Sequence, residues 1–203
     1  MIQFKTRFRF CALAIAVAGI ILCMIDCPRY WELYSYFTIQ SNIMCIILFA
    51  WGLRKETPVA VRGLATVCIT LTFLVYHFML RPDTFTLSTL NNVKNISNLF
   101  AHYLVPICTW ADYVLFDPKR RIRPAAPITW LGYPLLYLAY IKLICRPLGL
   151  KFVMDGQVHN APYFFLDSDI LSTGQITLWC IAIGAGFLLL SYIFYIVDRI
   201  FPN

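Results

Sequence analysis

Thr38, Ser41, Asn42 and Cys45 recur at i, i+3, i+4 and i+7, the spacing that sets four side chains on one helical face. The stretch that follows, residues 46–51, is purely apolar. A second polar face holds Asn91, Asn95, Asn98 and His102 by the same spacing. A threonine hydroxyl is a weak nucleophile at neutral pH and needs an adjacent base. Histidine is the usual base, because its reference pKa of about 6.5 lies near working pH. Ser41, Asn42 or Asn98 would then donate hydrogen bonds to a developing oxyanion. The set is suited to attack by Thr38 while His102 takes the proton.

The elements that must position these residues follow from composition. Of the 203 residues 60% are apolar and only 13% charged, with a mean hydropathy of +0.70. A soluble domain carries about 25% charged residues, so this chain lacks the polar surface to coat one. Disorder and a disulfide-stapled miniprotein are excluded by the same figures. Six apolar stretches, at 8–25, 34–53, 59–80, 97–116, 128–145 and 174–197, alternate with proline and charge signals such as Arg81-Pro82-Asp83 and Asp117-Pro118-Lys119. The fold class predicted is all-α: one domain over residues 1–203, a polytopic bundle of six transmembrane helices. The first stretch is longer than the core of a signal peptide and reads as a retained helix. Eleven of the seventeen lysines and arginines fall on the side of both termini, which places the termini in the cytoplasm. The net charge of +7 is therefore no nucleic-acid footprint.

Depth brings the two polar faces together. At about 1.5 Å per residue, Thr38 lies about 6 Å below the outer boundary and His102 about 7–8 Å. His77, at the end of the third stretch, lies roughly 5 Å below it. The third histidine, His159, and the acids Asp83, Asp155, Asp167 and Asp169 also belong to the outer half.

Each residue also has a quieter use. Ser and Thr in membrane helices bond back to their own helix or across to a neighbour. The asparagine run suits a loop and a helix N-cap near Ser97. Pro106 suits a simple kink. Ala12–Gly19 and Gly184-Ala185-Gly186 read as close helix packing. The eight cysteines show neither a CxxC pair nor zinc-ligand spacing, and no metal or other cofactor is implied. A pocket of this kind serves a hydrolase, a small transporter or lipid-binding protein, or an assembly partner.

Three segments carry a family resemblance: Tyr36-Phe37-Thr38-Ile39-Gln40-Ser41-Asn42, Ala101-His102-Tyr103-Leu104-Val105-Pro106 and Ala161-Pro162-Tyr163-Phe164-Phe165-Leu166-Asp167. In these the chain resembles the bacterial branch of the androgen-induced and androgen-dependent membrane protein family. Its vertebrate members are integral membrane threonine hydrolases of fatty-acid esters of hydroxy fatty acids. The resemblance implies Thr38 as nucleophile and His102 as base. It implies membrane lipid and a lipid ester substrate as partners, no nucleic acid, and the bacterial cytoplasmic membrane as location. Tyr163 and Asp167 enter as further site candidates, Asp167 as the candidate acidic third member. The histidine-to-proline spacing is one residue shorter here than in the vertebrate members.

Overall fold

The structure is a computed structural model and describes residues 2–81, 90, 92–116, 119–154 and 157–200. Asp83, Asn91, Asp155 and the Asp117-Pro118 turn signal lie outside the described residues. The chain is mostly helical. Long apolar helices run over Ile2–Asp26 (α1), Val59–Leu80, Val93–Phe116, Ala126–Cys145 and Thr173–Ile200, each long and apolar enough to cross a membrane. The helix Val59–Leu80 comprises α4 (Val59–Val75) and a π-helical turn, Tyr76–Leu80. In the next, α5 (Val93–Leu99) leads through a π turn at Phe100–Leu104 into α6 (Val105–Phe116). The following one bends at Leu131 between α7 (Ala126–Trp130) and α8 (Gly132–Tyr140), then ends in a π turn at Ile141–Cys145. The last, Thr173–Ile200, is α9.

The stretch 34–53 does not form one helix. A short α2 (Tyr30–Tyr34) stops where the Ser35 hydroxyl turns back to the Trp31 carbonyl at 2.8 Å. Tyr36 is extended, and α3 begins only at Phe37 and ends at Gly52. At 16 residues, α3 is about 24 Å long, shorter than a hydrocarbon core of about 30 Å. Thr38 therefore lies in the first turn of α3 and not a full turn inside it. A second departure from an all-α fold is a small antiparallel hairpin. It pairs β1 (Phe152–Met154) with β2 (Gln157–His159), Phe152 facing His159. All eight cysteines are free.

Three π turns among the described residues share a sequence feature. Each closes with an i→i−5 bond, from Arg81 to Tyr76, Val105 to Phe100 and Arg146 to Ile141, and the next residue in each case is proline. Inside α6 the Pro106 ring crowds the carbonyl four residues back and has no N–H to give it. Widening the preceding turn by one residue relieves that conflict and re-aims the side chains on it. The basic groups carried on these turns are His77, His102 and Lys142.

α3 and α4 sit at the centre. One core joins Phe37, Val67, Leu71, Trp130, Tyr137 and Phe187; another joins Ala12 and Ala16 of α1 to Cys45, Phe49, Ile69 and Val105. The small face of α1 lets it close on α5, and a Cβ at Gly19 would stand 3.2 Å from the Phe100 Cβ. Gly184 and Gly186 behave otherwise. Nothing lies within 4 Å of a Cβ built at either, so this glycine pair packs against no neighbour and Gly184 instead faces a cavity. The tightest glycine is Gly63 on α4, where a Cβ would meet the buried Trp130 ring at 2.3 Å. Gly63→Ala must push a rigid indole out of the core, and a loss of about 1–3 kcal/mol is expected. A thermal melt of the detergent-solubilised protein measures it.

Candidate active site

α3 enters with two backbone problems. Its first-turn N–H groups lack intrahelical acceptors, and the N-cap residue Tyr36 provides no side-chain bond. The Tyr163 hydroxyl supplies one acceptor, receiving the Thr38 N–H at 3.3 Å. The same oxygen lies 3.5 Å from Thr38 Oγ1. Tyr163 is held there by a stack on Phe165, centroids 5.1 Å apart, and by the edge of Tyr36. Burial pushes the Tyr163 phenol above its ordinary value, so it remains a protonated donor at neutral pH.

His102 comes from the π turn Phe100–Leu104. Its ring stacks on Tyr76 with centroids 3.8 Å apart and planes within 11°. The Thr72 main chain bonds to the ring, while Nδ1 is buried and has no hydrogen-bond partner among the described residues. An unfilled buried ring nitrogen costs roughly 1–3 kcal/mol. It stands out beside the Ser41 and Thr72 hydroxyls and the Asn42 amide, which are paired.

Thr38, Thr72, His102 and Tyr163 line one cavity of about 580 Å³. Its remaining walls are mostly apolar, from α4, α8, α9 and the Phe164–Leu166 turn. The depth match between Thr38 and His102 thus corresponds to a shared cavity.

Other sequence candidates have different places. Ser41 donates to the Thr38 carbonyl at 2.9 Å and meets the Thr72 hydroxyl at 2.8 Å. Asn42 gives its amide to the Thr38 carbonyl at 2.8 Å and to the Ala101 carbonyl at 3.1 Å. Neither lines the cavity. Their donors are engaged by protein acceptors, so they do not form the oxyanion site expected of them. Asn42 is instead a brace, joining the Thr38 carbonyl to the turn that carries His102. Asn42→Ala removes both bonds, and a loss of about 1–2 kcal/mol in thermal stability is expected. His77 points away from the cavity, its Nδ1 3.1 Å from the Tyr103 hydroxyl and its ring stacked on Phe73. Asn98 also lies outside the cavity lining.

Asp167 is fully buried but belongs to another histidine. Its carboxylate meets His159 Nδ1 at 2.9 Å and accepts the Asp169 N–H at 3.0 Å. It therefore does not orient His102. The pair ties the hairpin to the turn that presents Tyr163 and Phe165, alongside a bond from Asn160 to Asp169.

Sequence reasoning missed Thr72 and Lys142 as cavity residues. Thr72 sits in a threonine run, Thr66, Thr70 and Thr72, inside an apolar helix, and that run was the available signal. Lys142 figured only as a charge that set orientation. It also missed the buried pair at the far end of the bundle. There Arg9 Nε and Asp112 Oδ1 lie 2.6 Å apart, and a second nitrogen meets Oδ2 at 3.0 Å. Compared with protein-family models, curated proteins and solved structures, the chain matches none.

Proposed function

We propose that the chain is an integral membrane hydrolase of lipid acyl esters, with Thr38 as nucleophile and His102 as base. The observation that carries this reading is a shared cavity: a hydroxyl from α3 and an imidazole from another helix face a space with mostly apolar walls. In this reading α3 is the second of six spans, both termini are cytoplasmic, and the cavity opens near the outer face of a bacterial cytoplasmic membrane. The resemblance to the androgen-induced membrane protein family points the same way.

The chemistry runs in two halves. Thr38 Oγ1 bonds to the acyl carbonyl carbon as His102 takes its proton. The resulting oxyanion forms beside the N-terminus of α3, where the helix dipole favours negative charge. Tyr163 accepts the Thr38 N–H and keeps its own proton to donate there. The ester C–O bond then breaks, and His102 returns the proton to the departing alcohol. Water, deprotonated by His102, attacks the acyl-threonine; the bond to Thr38 Oγ1 breaks, His102 returns the proton to that oxygen, and the fatty acid leaves. The test is covalent: a fluorophosphonate should label Thr38, as read by peptide mass spectrometry. Labelling that persists undiminished in Thr38→Ala protein overturns the assignment.

A further inference from the structure

We propose that Lys142 anchors the phosphate of a glycerophospholipid, placing its acyl ester at Thr38 and its chain along the wall formed by α8 and α9. This deepens the hydrolase reading and rests on it for the identity of the ester position. Among the described residues Lys142 is the one Lys, Arg, Asp or Glu that lines the cavity. It is exposed, and no acidic side chain of the described residues pairs with it. An ammonium at the mouth of an apolar cavity calls for an anion from the occupant.

The cavity also opens sideways. Leu135 of α8 and Ile181 of α9 both line it, yet they are 57% and 62% exposed. Along α9 the lining runs from Thr177 to Leu188, about 16 Å of helix, which is a track for an acyl chain. Its direction follows from two contacts. The Tyr137 ring packs edge-on against Phe37, centroids 5.2 Å apart, so residue 137 marks the level of Thr38. Lys142 lies five residues closer to the mouth, about 7–8 Å along the helix. In a glycerophospholipid only the glycerol carbons separate the phosphate from an acyl ester, an offset of this order. A phosphodiester carries one negative charge and matches one ammonium.

Binding can be read without turnover in the Thr38→Ala protein, using native mass spectrometry from a neutral detergent. The probes are lysophosphatidylglycerol, a monoacylglycerol with the same chain, and the free fatty acid. Lysophosphatidylglycerol should bind about tenfold more tightly than the monoacylglycerol, the scale of one charge-assisted hydrogen bond. Lys142→Gln should erase that difference while leaving monoacylglycerol binding unchanged, and Lys142→Arg should keep it. Equal binding of the two lipids, or a preference that survives Lys142→Gln, overturns the proposal. So does a Lys142-dependent gain confined to the free fatty acid. Failure of the hydrolase reading is seen separately, as absence of turnover in the unmodified protein.

Discussion

Thr38→Ala lowers the turnover of acyl-ester lipids by at least about a thousandfold, the scale of losing a nucleophile, with little change in melting temperature. The two effects separate because the threonine hydroxyl does little for the fold. Its contact with Tyr163 is 3.5 Å, at the limit of a hydrogen bond, and the strong bonds at this residue are made by its backbone. Ser41 and Asn42 hold the Thr38 carbonyl, and both remain in the variant. His102→Gln should cause a comparable loss, since a nucleophile and its base act as one unit. The double variant should then be hardly worse than either single one. Fatty-acid release from a defined ester, measured beside a thermal melt, decides the matter. Full activity in Thr38→Ala would remove the mechanism. A wild-type protein that binds ester lipids without turning them over would leave a lipid-binding protein.

The second large effect lies at the opposite end of the bundle. Asp112→Ala leaves the Arg9 guanidinium, 2% exposed, without its carboxylate. Breaking a buried pair from one side costs about 3–5 kcal/mol, equivalent to a fall of roughly 6–20 °C in melting temperature for a chain of this size. Arg9 also donates to the Gly52 carbonyl at 3.1 Å, so one side chain ties α1 to the ends of α3 and α6. Replacing both partners with leucine should recover much of the loss, because no charge is then left in the interior. Losses that simply add in the double variant would show that the two residues act independently.

The long apolar helices were legible because hydropathy and loop chemistry are local. The stretch 59–80 coincides with the observed Val59–Leu80 helix. The meeting of Thr38 and His102 in one cavity was legible for a different reason: depth in a bundle is set by counting residues from each boundary. Partner choice was not legible. Ser41 and Asn42 have donors that suit an oxyanion as well as a carbonyl, and only the crossing of α3 with the Phe100–Leu104 turn decides between them. Asp167 could have served any of three histidines, and the hairpin delivered His159. Arg9 and Asp112 are 103 positions apart. Taken singly, Arg9 is a charge flanking the first span and Asp112 a stray acid. The late start of α3 depended on a serine folding back on its own helix, which the apolar pattern does not encode.

The proline that follows the wide turn Phe100–Leu104 gives the molecule a mechanical asymmetry. At this collar the helix can pivot without surrendering a regular hydrogen bond, because the proline never made one. The collar lies toward the rim, whereas the ion pair riveting α1, α3 and α6 lies at the foot. Thermal motion should therefore be concentrated around the entrance, widening and narrowing it over a base that hardly moves. A bulky amphiphile could pass such an entrance without the barrel of helices coming apart.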